Sequence, residues 1–135
     1  MKAWLAIGLF AATALGAAQE NATIGDFTKS PSEHIINEID QPFVVESVVG
    51  TVSRKQGDRG SLPGVLFEIQ GPGTDRKIRR AKSDEKGRFK IGHVSVGTYK
   101  FKATLNGFQS VMGTITVSRK ADGNAEIKIE MSVGV

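Results

Sequence analysis

The sequence predicts an all-β fold, a seven-stranded antiparallel sandwich spanning residues 43–135, and three observations carry that expectation. Apolar and polar residues alternate with period two from Phe43 to the C-terminus. Turn-forming clusters interrupt this alternation every 8–12 residues, and helical periodicity is missing throughout the region. Alternation of this kind places one face of each strand on a core and the other in water.

The strands follow in order. Val48, Gly50 and Val52 share one side of the first. Val65, Phe67 and Ile69 alternate with Leu66, Glu68 and Gln70 in the second. Ile78 to Ser83 is a short polar third strand, and Phe89 and Ile91 mark the fourth. Tyr99, Phe101, Ala103 and Leu105 alternate with Lys100, Lys102 and Thr104 in the fifth. Val111, Ile115 and Val117 form the sixth, and Ala125, Ile127, Ile129, Met131 and Val133 the last. Between them stand Gly57–Gly60, Gly71-Pro72-Gly73, Glu85-Lys86-Gly87, Gly97, Asn106-Gly107 and Asp122-Gly123-Asn124. Asn-Gly and Asp-Gly suit tight turns because their backbones tolerate positive φ.

The N-terminal part of the 135-residue chain has a different composition. Lys2 precedes an uncharged, mostly apolar run over residues 3–15, and small residues follow at Gly16, Ala17 and Ala18. Residues 1–18 therefore read as an export signal. The run is shorter than the about 20 residues that a membrane-spanning helix needs, so no transmembrane segment is expected in the mature chain. Residues 19–42 carry five acids (Glu20, Asp26, Glu33, Glu38 and Asp40) against Lys29, with prolines at 31 and 42. That composition predicts a mobile or loosely docked arm. Asn21-Ala22-Thr23 fits a glycosylation acceptor pattern; in a chain of bacterial appearance it is taken as coincidence. Without cysteine, neither disulfides nor a lipid anchor on that residue is available.

At this point a series of motifs becomes informative. Gly50-Thr51-Val52, Ser61-Leu62-Pro63-Gly64-Val65 and Ser83-Asp84-Glu85-Lys86-Gly87-Arg88-Phe89 come in order. Val94-Ser95-Val96-Gly97-Thr98-Tyr99 and Leu105-Asn106-Gly107-Phe108 follow. Over residues 44–133 this series resembles the carboxypeptidase regulatory-like domain, of the transthyretin (prealbumin-like), carbohydrate-binding-like sandwich type. The resemblance implies a Greek-key sandwich, and architecture far more than activity. Such domains commonly serve as appendages of peptidases, outer-membrane receptors and adhesins.

Catalytic machinery is not expected. Lacking cysteine, nucleophilic catalysis would need Ser or Thr with a histidine base, and His34 and His93 have no motif around them. No metal or other cofactor is expected either, because neither histidine has a ligand-type partner at a recognised spacing. The chain also differs from two relatives of the same fold that do chemistry. Hydroxyisourate hydrolase ends in a tyrosine-containing tetrapeptide, whereas this chain ends Met131-Ser132-Val133-Gly134-Val135. Collagen-adhesin B-type domains often form a lysine–asparagine isopeptide promoted by an acid on the fifth strand, where this chain has Ala103.

Charge is the remaining feature. Removing residues 1–18 leaves 17 bases (18 less Lys2) against 14 acids, too small an excess to argue for nucleic acid. Residues 75–90, however, hold eight bases against three acids. With the third and fourth strands paired, Arg76, Lys77, Arg79, Arg80, Lys82 and Arg88 are expected to form one continuous basic face. Such a field attracts acidic polysaccharide, anionic headgroups or an acidic protein surface; alternatively, it is a solvated face that discourages edge-to-edge association. The acidic arm is a candidate intramolecular partner for it. Phe108, after the Asn-Gly turn, is the candidate sugar contact, with a cap on the core as the stronger alternative. The expectation is therefore a periplasmic or extracellular, non-enzymatic binding module whose partner is a protein or an anionic polysaccharide of the cell envelope. A carbohydrate-binding protein and a structural assembly subunit are the alternatives.

Overall fold

The computed structural model describes residues 27–31, 35–55, 60–72 and 77–134. Residues 1–18, Asn21, His34 and Arg76, which carry several of the expectations above, lie outside the described residues. Among the described residues there is no helix. Two sheets pack face to face, and the described residues contribute nine strands to them: β1 (Ile36–Glu38), β2 (Phe43–Val45), β3 (Val48–Arg54), β4 (Leu66–Gln70), β5 (Ile78–Lys82), β6 (Arg88–Ile91), β7 (Gly97–Thr104), β8 (Ser110–Val117) and β9 (Ile127–Met131). The larger sheet runs β1-β8-β7-β4-β5, with β2 also on β8, and the smaller runs β9-β3-β6.

β3 to β9 are the seven strands expected from the alternation; β1 and β2 are additional. Each has three residues, too few to display a period. Both run parallel to β8, with Ile36 opposite Ser110 and Phe43 opposite Ile115. Four residues, 39–42, thus lie opposite the two residues 113–114 of β8, and Pro42, which has no N–H to donate, falls in this irregular stretch. After Val45 the chain breaks at Glu46-Ser47 and enters the second sheet as β3.

The sandwich is also not wholly antiparallel. β9 joins β3 in parallel, Ile127 opposite Gly50 and Ile129 opposite Val52. Alternation fixes which face of a strand is buried and leaves its neighbour undetermined, so local turn signals could not reveal this closure. β5 and β6 likewise do not pair. β5 pairs with β4 and β6 with β3, so the connection Ser83–Gly87 passes from one sheet to the other.

The core lies between the sheets. Phe67 stacks on Phe89 at 4.1 Å between ring centroids and on Phe101 at 5.5 Å. Ile69, Ile115, Ile127, Ile129 and Met131 fill the space around them and are essentially fully buried. Gly50 sits mid-strand because a β-carbon there would collide with the Ile127 carbonyl oxygen of β9 and lie 2.7 Å from the Phe89 ring. Ser83, itself buried, stitches the Leu62–Val65 turn to the end of β5: its Oγ accepts from the Val65 N–H (2.8 Å) and donates to the Leu62 carbonyl (2.6 Å).

A third layer covers the outside of the larger sheet. Glu68, whose face was expected to be solvated, is 0 % exposed, and Gln70, Lys102, Thr104 and Met112 are buried as well. Residues of the N-terminal arm lie over this surface, where Phe27 and Ser30 are buried. Thr28 is its anchor. Its N–H and Oγ1 donate to the two Glu68 carboxylate oxygens at 2.9 and 3.0 Å, and its carbonyl accepts from Lys102 Nζ at 2.9 Å. The arm therefore meets the sheet through a threonine and its backbone. Its described acids Glu38 and Asp40 are exposed instead of covering the bases.

Candidate functional site

The bases crowded into residues 77–90 are spread by the fold over three surfaces, because strand pairing sorts them alternately. Ile69 faces Arg79 and Phe67 faces Ala81 across the β4–β5 ladder, whereas Glu68 faces Arg80 and Leu66 faces Lys82. Arg79 and Arg80, adjacent in sequence, consequently point to opposite sides of the sheet. Among the described residues, the single continuous basic face expected from the sequence is not formed.

Arg80 belongs to the arm-docking network. Its Nε donates to Glu68 Oε2 at 2.8 Å, and its side chain remains 51 % exposed while that of Glu68 is fully buried. Arg79 turns the other way. Its Nη2 and Nη1 donate to the carbonyls of Gly92 and His93 at 2.6 and 3.1 Å, tying β5 to the β6–β7 connection. Lys77 stands beside it at the same end of the sandwich.

Lys82 joins a different group. At the C-terminal end of β5 it lines, with Arg88 and Lys90 of β6, a depression of about 540 Å³. Val49 and Thr51 of β3 form its floor, and Asp84 and Glu126 stand at its margin. The ladder aligns Thr51 with Arg88 and Val49 with Lys90, so both β6 bases share the outer side of the smaller sheet. Lys90 is one of the eight bases of residues 75–90 but not one of the six named for the face; its period-two spacing from Arg88 was the signal that placed the two together.

Asp84 is committed to the local turn. Its Oδ1 accepts from the Lys86 and Arg88 N–H groups at 2.8 and 2.9 Å, and Gly87 closes the turn at φ +75°. The bond from the Arg88 N–H, then that from Lys86, holds the Asp84 carboxyl below the ordinary aspartate value. Its lone pairs are thus partly spent on the backbone, and the other charged side chains lining the depression are Lys82, Arg88, Lys90 and Glu126.

Phe108 is half-buried against the core, and its ring carries the Arg54 guanidinium at 5.6 Å. A backbone bridge to Val133 fixes its strand segment. A ring so covered is not the free apolar platform that a sugar stacks on. His93 is exposed at the β6–β7 connection with φ +57°. Among the described residues no group of three or more His, Asp or Glu side chains converges as a metal site would require.

Comparison with known proteins bears on architecture. No curated protein matches the chain. Residues 47–131, more than half of the chain, match the family model of the carboxypeptidase regulatory-like domain, and this stretch includes β3 to β9, the core of both sheets. The chain belongs to the carboxypeptidase regulatory-like domain family.

Proposed function

We propose that the chain is an exported, non-enzymatic interaction module of the cell envelope that engages an anionic partner along the margin where β5 meets β6. The observation that carries this reading is the convergence of Lys82, Arg88 and Lys90 on one depression, from two strands in different sheets. Membership of a β-sandwich family whose members act as regulatory-like appendages supports a binding role, and the apolar N-terminal run supports export. The partner is an acidic polysaccharide or an acidic protein surface, for which a mixed polar groove with a basic rim provides hydrogen-bond donors and a local field.

The test uses immobilised alginate as a defined polyanion and a series of salt concentrations. Wild-type protein is expected to be retained at low salt and released as salt screens the contact. The triple variant Lys82→Glu, Arg88→Glu, Lys90→Glu should pass through, while Arg79→Glu, on another surface, should be retained. Equal retention of wild type and triple variant would remove this margin as the binding surface.

A further inference from the structure

A second cavity, of about 310 Å³, opens where the β4–β5 and β6–β7 connections meet. Ile69, Val94 and Tyr99 give it an apolar wall, and Lys77, Arg79 and His93 stand around it. No carboxylate is found among the described residues that line it, unlike the depression bordered by Asp84 and Glu126. The charged side chains among its described lining residues, Lys77 and Arg79, are both cationic.

The Arg79 guanidinium is held in place from behind. Two of its donors are used by the Gly92 and His93 carbonyls, which fixes the plane of a group that has five. His93 presents its carbonyl to this contact from φ +57°, and it is the one non-glycine residue with positive φ among those described. Strain of that kind persists where the surroundings over-determine a conformation, and it clusters at ligand sites. Tyr99 spends its hydroxyl on the Ser95 carbonyl at 2.7 Å, so the tyrosine adds ring surface to the wall.

We infer that this cavity binds a carboxylate carried on a compact apolar group. A planar, fixed guanidinium matches a carboxylate in two-point geometry, and a neighbouring ammonium adds a field of the same sign. The wall formed by Ile69, Val94 and Tyr99 rewards an apolar body. The volume lies at the low end of the range for small-molecule sites, which limits that body to a short chain or one side chain. A free amphipathic acid and the C-terminal residue of a polypeptide share this chemistry. The site is separate from the Lys82 margin and does not depend on it.

The test exploits Tyr99, the single tyrosine of the chain. With ring-labelled tyrosine in the full-length protein, one NMR signal reports from the cavity wall. Octanoate should shift it saturably, and octanamide should need at least about tenfold more ligand because the charge-assisted contact is lost. Inorganic phosphate, with no apolar body, should leave the signal unmoved. An acetylated dipeptide ending in leucine, compared with its amide, forms the second pair; tighter binding than octanoate identifies a polypeptide terminus, and weaker binding a free acid. Arg79→Gln should abolish the response. Val96→Asp should do the same by charge, at a lining residue 56 % exposed whose replacement leaves the core intact. Equal response to acid and amide, an unmoved signal at about 10 mM ligand, or unchanged binding in Val96→Asp would overturn the assignment.

Discussion

Replacing Glu68 by alanine removes the acceptor that anchors the docked arm. Three hydrogen bonds end on its carboxylate, from the Thr28 N–H, the Thr28 hydroxyl and Arg80 Nε, all between 2.8 and 3.0 Å. Lys102, directly opposite on β7 and 4 % exposed, holds the same segment through its bond to the Thr28 carbonyl. Removing one member of a buried charged pair costs about 3–5 kcal/mol. Arg80 is half in solvent, so its share is screened, and the low end of that range, about 3 kcal/mol, is expected. Urea denaturation of the full chain measures it, and hydrogen exchange at residues 27–31 should accelerate in the same variant. Glu68→Gln keeps the volume and one acceptor and should lose about 1–2 kcal/mol. A cost below about 1 kcal/mol for Glu68→Ala, the value of a solvated ion pair, would refute the reasoning, because the carboxylate would then be accessible to water.

Other perturbations have equally direct readouts. Ser83→Ala leaves the buried Val65 N–H and Leu62 carbonyl without their partner, and should cost about 1–3 kcal/mol in thermal or chemical unfolding. Gly50→Ala drives a β-carbon into the Ile127 carbonyl oxygen and to within 2.7 Å of the Phe89 ring, and overpacking of this kind should cost at least about 1–3 kcal/mol by denaturation. For Asp84 the folded-state pKa is depressed, so its contribution is present above the unfolded-state pKa and is lost as pH falls through the folded-state value. The stability difference between wild type and Asp84→Asn, followed from neutral pH downwards, should therefore shrink below about pH 4.

The strands of the sandwich were legible because one face of each meets a core. Ile127, Ile129 and Met131 alternate with Lys128 and Glu130, and burial follows the same alternation. The same rule failed on β4, where Phe67, Glu68, Ile69 and Gln70 are all buried. A carboxylate between two apolar residues reads as solvent-facing, and the segment that covers it lies 40 residues earlier in the chain. Nothing local links Thr28 to Glu68. The basic run failed for a related reason. Eight bases in sixteen residues describe density along the chain, whereas surfaces are set by pairing, which sends β5 to β4 and β6 to β3. The candidate margin was half visible: Lys82 and Arg88 were singled out, and their meeting across the gap between sheets requires the fold. Phe108 as a core cap follows from the cluster it joins, which includes residues of both sheets.

The parallel pairing of β9 with β3 sets the order in which the molecule can be completed. Ile127 meets Gly50 across an intervening loop of 76 residues, so this edge closes only after almost the whole chain is available, and pairings so distant in sequence are slow to form. Until then Gly50 and Val52 present an unpaired strand edge, and the core lacks the wall made by Ile127, Ile129 and Met131. A nascent or nicked chain that stops short of residue 127 is consequently an open sandwich with an adhesive edge. Quality control by proteases would act on that species, and the last strand works as the clasp that takes the protein out of their reach.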